Sequence, residues 1–322
     1  RVRGCAVVAN ETVTFIGLKQ GLYLADGRNY AGRITLCDIG VDAGEPDYYI
    51  AENDDVRLPA RLPVSNKGTY GCVKIIAGSP TMMGASLLAH ESAQASLRGG
   101  AGYAVLCVPR SLVAVYQARV KEEMLMFLPD DDGRAVFDAP SLDAVMHRAS
   151  AIVIGPGMGK NADLIKIIAY IARNFDGTLV IDGDGLNALS ADLTAVERHK
   201  CKLILTPHVA EFARLMKDDG ALPDTDRTET LARRLNAVVA MKNATTVISD
   251  GSRTFVNITG TPAMAKAGSG DVLSGLTAAL AANFEPLRAA VTACYLFGKA
   301  GEAAAKKRGE WSVLASDIIT EL

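Results

Sequence analysis

Short apolar runs alternate with longer helix-like segments along most of this chain, and that alternation constrains the fold more than any other feature. The pattern predicts a parallel sheet covered by helices on both faces. We therefore expect an α/β fold built on a central, mostly parallel sheet. The strand-like runs lie at residues 73–77, 103–108, 151–154, 179–181 and 203–205, and an alanine-rich helical stretch at 83–98 follows the first of them.

Glycine or polar residues follow four of these strand-like runs. In open parallel sheets, ligands bind outside the carboxyl ends of the strands, so the four segments are expected to form one rim of a binding site. One such strand end carries little information, but four together indicate a site. The segments are Gly78-Ser79, Gly155-Pro156-Gly157, Asp182-Gly183-Asp184-Gly185-Leu186-Asn187, and Thr206-Pro207-His208 with Glu211.

Residues 262–274 predict an anion site. A loop of small residues leads into Asp271, and apolar residues then recur at helical spacing, so the loop delivers its backbone N–H groups to a helix N-terminus. Unpaired amides and the positive end of the helix dipole attract phosphate there. A carboxylate at the same place repels phosphate, which favours a general base that accepts a proton from an attacking hydroxyl. The alternative is that Asp271 only caps the helix.

The glycine-rich segment 155–161 approximates two phosphate-binding motifs and matches neither. Ile154 stands in place of the first glycine of a P-loop, and Asn161 in place of the Ser or Thr that contacts magnesium. Lys160 stands where the third glycine of a dinucleotide-binding fingerprint belongs. We interpret the segment as a turn that lets a bulky ligand lie close to the backbone.

Several short motifs, each weak alone, follow one another in a specific order. On these motifs, the chain from about Asn66 to its C-terminus resembles the ADP/ATP-dependent NAD(P)H-hydrate dehydratase family, which has a ribokinase-like fold. The resemblance implies dehydration of (S)-NADH-hydrate and (S)-NADPH-hydrate coupled to hydrolysis of ADP to AMP and phosphate. It also implies Mg²⁺ as cofactor, and ATP as the nucleotide in some relatives. The motifs are Lys67-Gly68-Thr69-Tyr70-Gly71, Ala77-Gly78-Ser79 with Gly84-Ala85, Gly155-Pro156-Gly157, Asp182-Gly183-Asp184, Thr206-Pro207-His208 with Glu211-Phe212, residues 242–246, and residues 262–271.

The resemblance assigns roles to individual residues. Asp271 is implied to be the catalytic base, and Glu211 to hold magnesium through a water molecule. The residues implied to bind the transferred phosphoryl group through their backbone are Ala267, Gly268, Ser269 and Gly270. Those implied to bind nucleotide are Lys242, Asn243, Ala244, Thr245, Thr246 and Gly270, and those implied to bind the nicotinamide substrate are Ala85, Gly157, His208 and Asp271.

Simpler interpretations of these residues remain open. His208 and Glu211 also suit the first turn of an ordinary helix, and residues 242–246 suit a solvated strand end before a β-hairpin that turns at Asp250-Gly251. Two positions depart from the family pattern, since Asn243 and Ala267 each stand where the family has glycine. Asn tolerates a left-handed backbone and Ala is small, so neither change excludes the activity, although both are expected to weaken nucleotide binding.

Residues 1–58 are interpreted as a separate segment. Two strand-like runs, 13–18 and 33–39, resemble the end of the NAD(P)H-hydrate epimerase domain that often precedes the dehydratase. Two strands are too few to fold independently or to act as an epimerase, so the segment should pack on the main domain or stay mobile. We predict a linker at 59–65 and a ribokinase-like domain at 66–322, and expect that removal of residues 1–58 changes dehydratase turnover only a few-fold.

Composition excludes several other classes of protein. An apolar content of 49% over 322 residues is enough for a large core, and a net charge of −2 gives no electrostatic signature of nucleic-acid binding. We expect no membrane span and no membrane partner. Six dispersed cysteines without metal-ligand spacing predict buried, reduced thiols in a cytoplasmic protein.

The sequence thus predicts an enzyme that repairs a damaged nicotinamide cofactor, with NAD(P)H-hydrate and ADP as small-molecule partners. The resemblance also implies a homo-oligomer. A small-molecule kinase of the same fold, acting on a vitamin precursor or a sugar, is one alternative, because it would use the same anion loop and base. A catalytically inactive nucleotide-binding module is the other, and the retention of Asp271 argues against it.

Overall fold

The computed structural model describes residues 4–42, 44–80, 83–217 and 222–322, with the backbone alone described at 83–88. The strands are β1 Glu11–Phe15, β2 Arg33–Cys37, β3 Tyr49–Ile50, β4 Cys72–Ile76, β5 Tyr103–Pro109, β6 Met124–Leu128, β7 Asp130–Asp131, β8 Arg134–Ala135, β9 Ala151–Ile154, β10 Thr178–Ile181, β11 Lys202–Leu205, β12 Val238–Met241, β13 Thr246–Ser249 and β14 Thr254–Asn257. The helices are α1 Gln20–Tyr23, α2 Gly27–Tyr30, α3 Met83–Arg98, α4 Val113–Gln117, α5 Ala139–Met146, α6 Leu164–Asn174, α7 Asp184–Ala191, α8 Val209–Met216, α9 Asp224–Leu235, α10 Ser269–Ala281, α11 Pro286–Arg308 and α12 Ala315–Glu321.

Ten strands form one large sheet in the order β3-β14-β13-β12-β11-β10-β9-β4-β5-β6. The seven strands from β12 to β6 in that order pair in parallel, as the alternating sequence pattern predicts. Strands β12, β13 and β14 pair antiparallel, which confirms the hairpin predicted at Asp250-Gly251. Parallel pairing brings the carboxyl ends of the central strands to one edge, and this edge carries the predicted rim.

Helices cover the sheet on both faces because the central strands are apolar on both sides. Alternate residues of β9 enter different clusters: Ile152 and Ile154 pack with α6 to α9, whereas Ala151 and Val153 pack with α3, α10 and α11. The prediction of a sheet flanked on both faces is confirmed. Helices α3 and α10 approach very closely, since a Cβ on Gly275 would stand 2.0 Å from the carbonyl oxygen of Ser92.

The N-terminal segment packs on the main domain, which is one of the two outcomes expected. Strands β1 and β2 form a separate parallel pair. Strand β3, however, pairs with β14 in the large sheet, and Ala51 and Val56 are buried in its core. The large sheet therefore extends to the N-terminal side of the boundary proposed at residue 58, and that boundary stays a prediction.

The cysteines agree only in part with the expectation of buried thiols. All six are unpaired; Cys107, Cys201 and Cys294 are buried, and Cys72 is partly buried. The expectation was wrong for Cys5 and Cys37, which are exposed. Cys37 ends β2, whose two-stranded sheet leaves most of its side chains in solvent. Within the described ranges, every helix falls short of the length or the apolar character that a membrane span requires.

Candidate active site

Four adjacent parallel strands, β4, β9, β10 and β11, deliver their carboxyl ends to one edge, as the sequence predicts. The segments that follow them touch: the Gly78 amide donates to the carbonyl of Pro156 at 3.1 Å. Gly155, with φ of +123°, lies so close to the next segment that a Cβ would stand 1.9 Å from the carbonyl oxygen of Asp182. Glycine is therefore required at 155 both for its backbone conformation and for space.

Strand β12 adds a lysine to this edge. The Lys242 amide donates to the carbonyl of Pro207 at 2.7 Å, which fixes the residue beside the end of β11. Its side chain then crosses to the next strand end, where Nζ lies 2.7 Å from Oδ1 of Asp182. Asp182 is almost fully buried and Lys242 is mostly so. A cation is thus held at the centre of the rim, as phosphate binding requires.

Helix α10 begins at the predicted anion loop. Gly268 is its N-cap, in a left-handed conformation with φ of +91°, and Asp271 is the third helical residue. Asp271 is therefore not the N-cap, and the capping interpretation is wrong. The first amides of a helix have no intrahelical acceptor and can bind an anion. Of these, the Ser269 amide donates to the carbonyl of Lys266 at 3.4 Å. The hydroxyl of Ser269 is buried at the same helix start and has no hydrogen-bond partner among the described residues.

The anion loop lies against the lysine–aspartate pair. A Cβ on Gly270 would stand 3.2 Å from Nζ of Lys242 and 3.7 Å from Oδ2 of Asp182. The structure therefore brings together Lys242, Gly270 and Asp271, which the sequence places in two distant segments. A phosphoryl group over this loop would contact helix amides and the lysine ammonium at once.

Electrostatics make Asp271 a base suited to neutral pH. Burial raises the pKa of its carboxyl to about 7, and the negative charges of Asp182 and Glu91 act in the same direction, while Lys242 opposes them. Burial alone lowers the pKa of Lys242, but the carboxylates of Asp182 and Glu211 outweigh it and hold that pKa above its ordinary value. The lysine is therefore charged, and the aspartate can both accept and release a proton near pH 7.

His208 and Glu211 form a reciprocal cap at the start of α8. Nδ1 of His208 accepts from the amides of Ala210 and Glu211, and Oε2 of Glu211 accepts from the His208 amide at 2.8 Å. Since Nδ1 accepts, Nε2 of a neutral ring carries the hydrogen. Burial and the charge of Lys242 lower the pKa of His208, and burial raises the pKa of Glu211 to about 7. The capping role is therefore real. Nε2 lies 3.3 Å from Oε1 of Glu211, and about half of the His208 side chain is exposed to a ligand.

Residues 242–246 divide into two groups. Asn243 and Ala244 are exposed, and neither Asn243 nor Ala267 has a positive φ, so both departures from glycine are accommodated without strain. Thr245, in contrast, is buried and donates its hydroxyl to the carbonyl of Tyr23 at 2.6 Å. That hydroxyl is engaged within the protein, so its expected contact with nucleotide is not supported by the geometry.

The other two residues expected to bind substrate are described less fully. Gly157 is buried on the rim with φ of +60°, and the neighbouring Gly159 amide donates to Oδ2 of Asp184 at 2.7 Å. Ala85 lies in the first turns of α3, and its side chain is outside the described residues.

The carboxylates of the rim suit a magnesium ion held mainly by phosphate. Mg²⁺ commonly binds through one or two carboxylates together with substrate phosphates and water. In the described ranges no cluster of three or more acidic, histidine or cysteine side chains forms a complete cage. Asp182 keeps Oδ2 directed at the anion loop, however, and Glu211 is near enough to influence Lys242.

The sequence alone assigned no role to two acidic residues of the site. Asp182 stood in the predicted rim, but its pairing with Lys242 joins residues 60 positions apart. Glu91 stood unnoticed in the alanine-rich helix α3. Its Oε2 is buried without a hydrogen-bond partner among the described residues, and burial raises its pKa. The sequence feature that could have indicated Glu91 is an acidic residue within a helix made mostly of small residues.

The fold and the site together define a ribokinase-like nucleotide-binding domain. Residues 73–322 match the family model described as NAD(P)H-hydrate dehydratase, and this chain belongs to that family. It is similar to the bifunctional NAD(P)H-hydrate repair enzyme Nnr of Moorella thermoacetica, with 35% identity over 339 residues that cover 99% of this chain and 62% of that protein. The chain thus spans about three-fifths of the length of such curated relatives.

Solved structures agree. An ADP/ATP-dependent NAD(P)H-hydrate dehydratase from Bacillus subtilis, co-crystallised with ATP and Mg²⁺, aligns with a TM-score of 0.69 and 25% identity over 85% of this chain and 95% of that one. A ribokinase-like superfamily protein from Enterococcus faecalis aligns with a TM-score of 0.72 and 24% identity, covering 85% of this chain and 93% of that one, which supports the fold. The predicted fold class and family are confirmed.

Proposed function

We propose that this protein repairs hydrated nicotinamide cofactors, dehydrating (S)-NADH-hydrate and (S)-NADPH-hydrate at the expense of ADP. The proposal rests on the environment of the Asp271 carboxyl. This carboxyl has a pKa of about 7, and it lies in the first turn of α10, beside a lysine ammonium and the start of the helix. A site for binding phosphate alone gains nothing from that carboxylate, whereas phosphoryl transfer to a hydroxyl requires a base.

In the first step, Asp271 accepts the proton of the C6 hydroxyl of the hydrated ring. The hydroxyl oxygen attacks the β-phosphoryl group of ADP, a new P–O bond forms, and the bond to the α-phosphate breaks to release AMP. The amides of residues 267–270 and the ammonium of Lys242 stabilise the charge on the transferring group. When bound, Mg²⁺ neutralises phosphate charge there, with Asp182 and Glu211 as the residues that would hold it, directly or through water.

In the second step, the ring nitrogen donates its lone pair as the C6–O bond breaks and phosphate leaves. Loss of a proton from C5 then restores the C5–C6 double bond and yields NAD(P)H. Phosphorylation serves to convert hydroxide, a poor leaving group, into phosphate. His208 is suited to orient the nicotinamide portion because about half of its side chain is exposed at the rim. Gly157 has no side chain that would obstruct that portion of the ligand.

The direct test is incubation of the protein with NADH-hydrate, Mg²⁺ and ADP, while the near-ultraviolet absorbance of NADH and the release of phosphate are followed together. The proposal predicts that both rise in equal amounts. A stable phosphoester without NADH would instead identify a kinase, and nucleotide binding with neither product would identify an inactive module. Turnover with ATP equal to or better than that with ADP would contradict the assignment of ADP as the co-substrate.

The remaining expectations stand as parts of the same proposal. The domain of residues 66–322 carries the chemistry, the partners are small molecules rather than nucleic acid or membrane, and the protein is a homo-oligomer. A cytoplasmic location is supported by the six unpaired cysteines, since reducing compartments keep thiols free.

A further inference from the structure

The N-terminal segment contacts the nucleotide side of the site directly. The short helices α1 and α2 lie against the connection between β12 and β13, where the Thr245 hydroxyl donates to the carbonyl of Tyr23. Residues 20–30 therefore pack against the segment that contains Lys242 and Ala244. This contact joins residues more than 200 positions apart, and no local sequence pattern indicates it.

Arg28 is the centre of that contact. Nη1 of its guanidinium donates to the carbonyl of Ala244, and Nη2 donates to the carbonyls of Ile258 at 2.8 Å and Gly260 at 3.4 Å. One planar group thus bridges two separate segments, the β12–β13 connection and the loop that follows β14. Arginine suits this task because its donors are fixed in one plane and point in several directions.

Both bridged segments lead into the phosphate site. Ala244 is two residues beyond Lys242, and Gly260 opens the loop that runs to the N-cap of α10 at Gly268. On its other side that loop is held by Glu302, whose Oε1 accepts from the Gly260 amide at 2.9 Å. Arg28 and Glu302 therefore both hold the loop at Gly260, and Arg28 also ties it to the lysine segment through Ala244.

We propose that Arg28 is a positioning residue for the nucleotide site and that the N-terminal segment is a working part of that site. Arg28 fixes the gap between the lysine segment and the anion loop, which is the space that the nucleotide phosphates occupy. The inference rests on the proposed function. It also replaces the expectation that removing residues 1–58 changes turnover only a few-fold.

The test compares Arg28→Ala with wild-type protein in the ADP-dependent assay. We expect KM for ADP to rise about tenfold or more, because three hydrogen bonds from a charged group are lost, while kcat stays within about threefold. Arg28→Lys, which keeps the charge but reaches fewer carbonyls, should fall between the two. Gln20→Ala is the matched control: its Oε1 accepts from the Thr225 hydroxyl, so it removes a contact that the same segment makes with α9 instead of with the β12–β13 connection.

The outcomes separate the inference from the proposed function. If wild-type protein forms no NADH, the proposed function fails, and the Arg28 comparison is then made on direct binding of ADP, where a tenfold weakening still supports the inference. If wild-type protein is active and Arg28→Ala keeps its KM for ADP, the inference is overturned. A lower melting temperature with unchanged KM, or an equal KM increase in Gln20→Ala, also overturns it, because both results mean that Arg28 only anchors the segment.

Discussion

Lys242 and Asp182 join the carboxyl ends of β12 and β10 across the strand between them, with 2.7 Å separating Nζ and Oδ1. The pair holds a cation beside the anion loop, and Gly270 lies against both partners. The charge of the ammonium and the basicity of Asp271 therefore depend on the same small group of side chains.

Lys242→Ala should destabilise the protein as well as stop turnover. The change leaves the Asp182 carboxylate buried without its counter-charge, and breaking such a pair costs about 3 kcal/mol of the free energy of unfolding. Lys202→Ala is the control, since it removes an exposed pair with Glu285 that contributes about 0–1 kcal/mol. Urea denaturation measures both. Equal losses in the two variants would contradict a buried, coupled pair.

The pH dependence of turnover should show an acid limb with a midpoint near 7. Below that pH Asp271 is protonated and cannot accept the hydroxyl proton. Glu91→Gln removes one of the negative charges that raise this pKa, so its midpoint should move to lower pH. The control is Glu211→Gln, because the pKa of Glu211 is also raised to about 7 and a limb due to Glu211 would vanish in that variant. An unchanged midpoint in Glu91→Gln removes Glu91 from the account.

Stability should depend on pH through the same carboxyl. In the unfolded chain Asp271 has its ordinary pKa, and in the folded protein its pKa is about 7. Between those values only the folded state holds the proton, so the free energy of unfolding falls as pH rises. Asp271→Asn does not titrate, and its stability relative to wild type should grow by about 3–4 kcal/mol between about pH 4 and pH 8. A constant difference across that range would show that the carboxyl is not perturbed.

Much of the fold could be predicted because its core strands are continuous apolar runs. Strand β9 and helix α3 have the predicted bounds. Strand β6 was not predicted although it is apolar. Strand β3 is only two residues long, and it is a strand only because it pairs with β14. Local pattern contains no information about such edge pairing.

The sequence predicts which strand ends form the site, but it does not predict the hydrogen bonds and ion pairs that connect their side chains. The sequence indicated Lys242 and Asp271 separately, and topology explains why they meet. The pairing of Lys242 with Asp182 and the bridge from Arg28 to Ala244 both depend on tertiary contacts between distant segments. Thr245 shows the reverse case, since a hydroxyl expected to bind nucleotide is used to dock the N-terminal segment.

Gly270→Ala should impair turnover without unfolding the protein. The new methyl would stand 3.2 Å from the Lys242 ammonium and force it to shift, and a small displacement of a positioned charge costs about tenfold or more in rate. Alanine favours the helix more than glycine does, so the melting temperature should hold. Gly21→Ala, where nothing lies within 4 Å of the added Cβ, is the matched control. Full turnover in Gly270→Ala would show that the anion loop does not act against Lys242.

The central claim is that Asp271 is the base for phosphoryl transfer, and the turnover of Asp271→Asn tests it most directly. Asparagine keeps the shape of the side chain and removes both the proton acceptor and a charge that repels phosphate. Turnover of NADH-hydrate with ADP should fall by about 10²–10⁴-fold, while ADP binding, measured by calorimetry, holds or improves. A folded variant that binds ADP and dehydrates at a rate near that of wild type would contradict the account.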